Sequence, residues 1–137
     1  MSIEWTDQYA TGIPLIDAQH QEIFRMVAEF HDAVKAGNGP GQIGRVLRFL
    51  SNYTRAHFHD EEAMLRAHDY GFFAQHKAEH DALVGQLNAW LEAGTRGEVA
   101  VHLQVAAHLG EWLRKHIVQS DLAYVPSIMR EDSAEAA

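Results

Sequence analysis

The chain has 137 residues with 47% hydrophobic side chains, a composition typical of one globular domain with a buried core. It contains no cysteine, which excludes disulfides and thiolate metal sites, but it contains ten histidines. The formal net charge of −8 disfavours nucleic acid and anionic membranes as partners, because both select for basic surfaces.

The N-terminal segment, residues 1–16, is predicted to be an ordered arm laid over the domain, because it carries Trp5, Tyr9 and Ile13. Its first residues lack the basic and apolar regions of a secretion signal, so we expect a cytoplasmic protein. No apolar run approaches the roughly 20 residues that cross a bilayer, so no membrane insertion is expected.

Four amphipathic segments with apolar residues at helical spacing follow the arm. The predicted helices cover residues 17–36, 42–67, 72–93 and 98–120. Asp17 is expected to cap the first helix, and the glycine-rich stretch 37–41 to end it. Because short loops between long helices make antiparallel neighbours, the sequence predicts an all-α, up-down-up-down four-helix bundle. Pro126 is expected to begin a short C-terminal piece that frays over residues 131–137.

The spacing of several histidines and acids indicates a metal site. His57 and Glu61 are four residues apart, as are His76 and His80, and such pairs share one face of a helix. His116 and Asp121 are five apart, which is about 500° of helix rotation. We expect this last pair to converge only if the helix loosens or ends between them.

The bundle topology brings these residues together. His20 lies near the start of the first helix and His76 near the start of the third, whereas His57 and His116 lie near the ends of the second and fourth. In an up-down-up-down bundle these four ends meet at one pole. Seven possible ligands therefore form one layer: His20, His57, Glu61, His76, His80, His116 and Asp121.

Imidazole and carboxylate ligands without sulfur suit iron, manganese or zinc. Two octahedral metals offer roughly twelve coordination positions. Five imidazoles, two bridging carboxylates and one bridging oxide or hydroxide would leave about one position free for a small external ligand.

Four motifs carry a resemblance to a known family. They are Ile16-Asp17-Ala18-Gln19-His20, His57-Phe58-His59-Asp60-Glu61-Glu62, His76-x-x-x-His80 and His116-Ile117-Val118-Gln119-Ser120-Asp121. Together they resemble the hemerythrins, and the arm resembles that of the bacterial branch, the bacteriohemerythrins. The likeness covers about residues 3–130.

The resemblance implies two iron ions per chain with a bridging oxide or hydroxide, and dioxygen as the ligand. It implies that His76, His80 and His116 bind one iron and that His20 and His57 bind the other, which keeps the open position. Glu61 and Asp121 would bridge the two irons.

Residues beside the ligands have expected roles of their own. Leu113 and Ile117 flank His116, and we expect them to line the dioxygen pocket as well as the core. Tyr53 and Tyr124 are candidates for hydrogen bonds to ligands. The other histidines are expected to be structural or surface residues: His31, His59, His68, His102 and His108.

The resemblance favours a dioxygen-binding protein for transport, storage or delivery over an enzyme, and no particular protein recipient is predicted. One alternative is a sensor of dioxygen or iron that acts through a separate partner. Another is a di-iron oxidase or a peroxide-handling protein. Di-iron enzymes on related bundles use carboxylate-rich sites with Glu-x-x-His motifs, and this chain contains none.

Overall fold

The computed structural model describes residues 4–38, 40–95 and 99–136. In this part of the chain the fold is all-α, as predicted, with a short 3₁₀ turn at Asp7–Tyr9 in the N-terminal arm. The helices are α1 (Pro14–Lys35), α2 (Pro40–Ala67), α3 (Phe73–Thr95), α4 (Val99–His116) and α5 (Leu122–Ala136). Helix α1 packs on α2, α2 on α3, and α3 on α4. Helix α4 also packs on α1, which closes the four-helix bundle.

Helix α1 begins three residues earlier than predicted, with Pro14 in its first turn. The ring of Pro14 fixes a helical backbone angle and needs no hydrogen-bond partner there. Asp17 is therefore not the cap but lies inside the first turn. Its carboxylate instead accepts hydrogen bonds from the backbone N–H and the hydroxyl of Thr11, both at 2.8 Å. The aspartate thus ties the arm to the bundle.

The glycine-rich end of α1 is confirmed. Gly37 has a φ of +72°, a left-handed conformation that glycine adopts without steric cost. Its N–H donates to the carbonyl of Val34, and the N–H of Asn38 donates to that of Ala33. These two bonds satisfy carbonyls that the helix end would otherwise leave free.

The last predicted helix differs most from the structure. Helix α4 ends at His116 and passes into a π-helical turn, Ile117–Asp121, that leads directly into α5. The C-terminal piece therefore begins at Leu122, and Pro126 lies inside α5 rather than at its start. The backbone of α5 is helical to Ala136. The side chains of residues 131–136 and the whole of residue 137 lie outside the described part of the chain. The predicted fraying of residues 131–137 therefore stays a prediction.

Two apolar clusters hold the bundle together. The larger one fills the interior between the four helices and includes Phe30, Leu47 and Leu87. The smaller one contains Leu65, Tyr124 and Ile128, which follow the predicted ligands Glu61 and Asp121 along the chain. In the described part of the chain no helix is long and apolar enough to cross a membrane.

Candidate metal centre

The structure brings all seven predicted ligand side chains into one buried layer. Their donor atoms form two overlapping groups, each within 4.8 Å. The first, the three-histidine group, contains Glu61, His76, His80, His116 and Asp121. The second, the two-histidine group, contains His20, His57 and Glu61. The grouping of the histidines is the one that the resemblance implied for two metals.

The π-helical turn brings His116 and Asp121 together. Its N–H groups bond five residues back, as the N–H of Leu122 does to the carbonyl of Ile117. The wider turn brings residues five apart closer to one face than a regular α-helix does. The Nε2 atom of His116 consequently lies 3.1 Å from Oδ1 of Asp121. The predicted loosening of the helix between these two residues is confirmed.

The two oxygens of Asp121 face different groups. Oδ1 lies 3.1 Å from Nε2 of both His76 and His116, in the three-histidine group. Oδ2 lies 3.1 Å from Nε2 of His20, in the two-histidine group. This carboxylate therefore stands between the two sets of imidazoles.

Glu61 divides its oxygens in the same way. Oε1 lies 2.8 Å from Nε2 of His76 and 3.0 Å from that of His80. Oε2 lies 3.5 Å from Nε2 of His57, and it also accepts a hydrogen bond of 3.0 Å from the hydroxyl of Tyr124. The hydrogen bond to a predicted ligand, for which Tyr124 was only a candidate, is thus present. Tyr53 is half-buried, and burial together with the carboxylates of Glu22 and Asp60 raises its pKa.

Both carboxylates remain ionised although they are buried. Burial and the Asp121 carboxylate would raise the pKa of Glu61, but the adjacent imidazoles of His76 and His80 outweigh them and lower it to about 2. Burial likewise opposes the charge on Asp121, and the neighbouring imidazole of His116 lowers its pKa well below the usual range. Two buried negative charges require positive charge in the same layer.

The imidazoles differ in whether they can supply this positive charge. Burial would lower the pKa of His76, but the carboxylates of Asp121 and Glu61 raise it to about 10. Burial lowers the pKa of His57 to about 4, so this imidazole stays neutral. A neutral imidazole is the form that binds a metal.

The donor set fits metal cations. Several buried atoms in the layer make no hydrogen bond. They are Nε2 of His20, His80 and His116 and both side-chain oxygens of Asp121. They lie 3.0–3.1 Å from neighbouring donor atoms, yet they do not point at one another as hydrogen-bonding groups would. Atoms arranged around common centres, with only nitrogen and oxygen donors, suit metals such as iron.

The sequence model of a protein family, the hemerythrin HHE cation binding domain, matches residues 11–128 of this chain. This chain belongs to the hemerythrin family. A bacteriohemerythrin of Methylococcus capsulatus is 36% identical over 90% of this chain and 95% of its own length. A bacteriohemerythrin of Pseudomonas aeruginosa is 32% identical over 90% and 80%. A crystal structure of wild-type hemerythrin superposes with a TM-score of 0.87, at 35% identity, covering 93% of this chain and 98% of that one.

The other histidines whose side chains the structure describes lie outside the layer. His59 is 86% exposed beside Asp60. His68 bonds to the backbone carbonyl of Met64 through Nδ1, and His108 lies edge-on to the ring of Trp90. His31 is half-buried on α1. The prediction for His102 falls on a side chain outside the described residues.

A small cavity adjoins the layer on its inner side. Its volume is about 20 Å³, enough for one molecule of about the size of water. Leu113 lines it, whereas Ile117 is buried beside His116 and is not among the described wall residues. The other apolar wall residues are Ile23, Val27, Leu50, Phe58, Leu83, Leu109 and Trp112.

Aromatic rings stack on two of the predicted ligands. Phe58 stacks on His80, with ring centroids 3.8 Å apart and planes 6° apart. Trp112 stacks on His116 at 4.5 Å and 12°.

Sequence reasoning missed the residues that contact the outer nitrogens of the ligands. Gln19 accepts a hydrogen bond from Nδ1 of His57, and Glu62 accepts one from Nδ1 of His80. The two partners are 38 and 18 residues apart, respectively. No spacing within one helix reports such contacts, because they depend on how two helices face each other.

Proposed function

We propose that this chain binds dioxygen reversibly at a non-heme di-iron centre, for transport, storage or delivery in the cytoplasm. The observation that carries the proposal is the arrangement of Glu61 and Asp121. Each directs one oxygen to the three-histidine group and the other to the two-histidine group. Two carboxylates that connect two sets of imidazoles are what a pair of metal ions requires.

In this proposal His76, His80 and His116 hold one iron, and His20 and His57 hold the other. Glu61 and Asp121 would each hold both irons, and an oxide or hydroxide would complete the centre. The iron pair would supply the electrons and the exchangeable position that reversible dioxygen binding needs. The protein supplies the fixed imidazoles, the two bridging carboxylates and a hydrogen bond from Tyr124 that holds Glu61 in place.

The cavity wall supports binding rather than turnover. Apart from Asp121, its described residues offer no acid, and Thr54 is the one hydroxyl among them. A mostly apolar wall with one described hydroxyl and little room for water gives a bound ligand few ways to be protonated and released as a product. Leu113 takes part in this wall, and Ile117 supports the adjacent ligand His116 from the core.

The experiment that tests this function measures iron and dioxygen together. We expect about two irons per chain and an absorption spectrum that appears with dioxygen and disappears when dioxygen is removed. One metal per chain would contradict the two-metal centre. Steady consumption of dioxygen in the presence of a reductant, with no stable oxygenated form, would favour the oxidase alternative.

A matched pair of variants tests which histidines take part. His57 is 2% exposed and His59 is 86% exposed, although they are two residues apart on α2. His57→Ala should lose iron and the oxygenated spectrum, while His59→Ala should keep both. Equal loss in the two variants would contradict the proposed ligand set.

A further inference from the structure

The five imidazoles direct Nε2 toward the carboxylates of Glu61 and Asp121, but they differ in which group contacts the other ring nitrogen, Nδ1. In the three-histidine group, His80 donates from Nδ1 to Oε2 of Glu62 at 2.8 Å. Nδ1 of His116 lies 3.3 Å from Oε2 of Glu79. Two of the three imidazoles are therefore backed by a carboxylate.

Among the residues that the structure describes, no carboxylate contacts Nδ1 of either imidazole in the two-histidine group. His57 donates from Nδ1 to the amide oxygen of Gln19 at 2.7 Å. The orientation of that amide is fixed, since its nitrogen donates to Oδ2 of Asp60 at 2.8 Å. A neutral amide thus separates Asp60 from the imidazole. Nδ1 of His20 is buried and has no hydrogen-bond partner among the described residues.

A carboxylate behind an imidazole increases the basicity of its other nitrogen and strengthens the bond to a metal. We infer that Glu62 and Glu79 are positioning residues that make the three-histidine group the stronger electron donor, while Gln19 keeps the two-histidine group the weaker one. The inference rests on the proposed di-iron function. It would make the metal held by His20 and His57 the more electron-poor of the two.

The two glutamates should differ in strength. The Glu62 side chain is 14% exposed, whereas that of Glu79 is 48% exposed. Water and salt screen the charge of an exposed carboxylate more strongly. The contact of Glu79 with His116 is also longer than that of Glu62 with His80. Glu62 is therefore the principal positioning residue of the pair.

The test compares four variants by two measurements, the Zn(II) dissociation constants and the midpoint potential of the iron-loaded protein. Glu62→Gln should weaken the tighter Zn(II) step roughly 10- to 100-fold and raise the potential. Glu79→Gln should act in the same direction with a smaller effect. The double variant Gln19→Glu/Asp60→Asn exchanges the amide and the carboxylate, so that a carboxylate contacts Nδ1 of His57. This variant should strengthen the weaker Zn(II) step and lower the potential.

The control is Glu29→Gln, which removes the same charge on α1 about 13 Å along the helix from His20. Glu29 pairs with Arg25 on the surface, so neither measurement should change. The inference is overturned if Glu62→Gln behaves like Glu29→Gln, or if the double variant shifts the potential upward. Should Glu62→Gln fail to fold by circular dichroism, Glu79→Gln and the double variant still decide the question.

The outcomes separate this inference from the proposed function. A parent protein that binds two Zn(II) ions with the expected ranking of variants, but never binds dioxygen reversibly, supports the positioning role and contradicts the function. A parent that binds dioxygen reversibly while its variants show no ranking contradicts the positioning role alone. A ¹⁵N spectrum of the Zn(II) form adds a direct check, since replacing Glu62 should shift the Nδ1–H signal of His80.

Discussion

At the scale of single residues, the small cavity beside the metal layer depends on side chains that exclude water. Leu113 belongs to its wall and lies one helical turn before His116 on α4. Its neighbours in the wall are mostly aliphatic or aromatic. With a volume of about 20 Å³, the cavity has room for one molecule of about the size of water.

We predict that Leu113→Asn retains iron but loses the oxygenated spectrum faster than the parent does. The amide would offer a proton donor and attract water, and burying it unpaired should cost about 1–3 kcal/mol of stability. Leu113→Met is the matched control, because it keeps the wall apolar and costs less than about 1.5 kcal/mol. The measurement is the decay rate of the oxygenated form. Equal rates in the two variants would show that Leu113 does not keep the site dry.

The residue scale also separates what the sequence could predict from what it could not. His57 and His59 were assigned to different sides of α2 because helix geometry alone places them about 200° apart. The contacts of Gln19 with His57 and of Glu79 with His116 join different helices. Such contacts depend on how each helix is rotated about its own axis relative to its neighbour. The pattern of apolar residues gives this rotation only approximately, so it does not predict which side chains touch.

At the scale of helices, the sequence predicted that α4 must become irregular between His116 and Asp121, but not how. The structure resolves the mismatch with one π-helical turn and then continues as α5. Propensity favoured a break near Pro126, since proline lacks the N–H that a helix interior needs. Burial of Tyr124 and Ile128 in the smaller apolar cluster outweighs that preference.

The end of α2 offers a test of local backbone strain. Asp69 has a φ of +50°, which costs an L-residue free energy that glycine does not lose. The N–H of Asp69 donates to Arg66 and that of Tyr70 to Leu65, as at a helix end that glycine usually occupies. Asp69→Val should lower the free energy of unfolding by about 1–2 kcal/mol, whereas Asp69→Gly should equal or exceed the parent. Thermal midpoints at equal iron content measure this, and a Val variant as stable as the Gly variant would contradict it.

At the scale of the whole molecule, the metal layer lies in a low-dielectric interior and holds two carboxylates. The sequence predicted this layer because bundle topology alone brings four helix ends to one pole. It could not predict the charge state, which depends on distances between side chains of different helices. Without metal, the positive charge must come from protonated imidazole, and the carboxylates of Asp121 and Glu61 on either side of His76 raise its pKa and favour its protonated form.

The metal-free protein should therefore lose stability on both sides of pH 6.5, for different reasons. His57 has a pKa lowered from 6.5 to about 4, so its contribution is lost as the pH falls through that range. Glu61 adds a further loss between pH 4.5 and about 2. His76 has a pKa raised from 6.5 to about 10, so its contribution is full below pH 6.5 and is lost as the pH rises to about 10.

We predict that the thermal midpoint of the metal-free protein falls between pH 6.5 and pH 10, while that of the iron-loaded protein does not fall in this way. A tenfold change in a proton-binding constant corresponds to about 1.4 kcal/mol, so His76 alone can account for several kcal/mol. Bound iron would take the place of that proton and would balance the charges of Glu61 and Asp121 throughout this range of pH. His76→Gln is the control, since it should be less stable but should show a flatter profile above pH 6.5. A metal-free parent as stable at pH 10 as at pH 6.5 would mean that His76 does not balance the buried carboxylates.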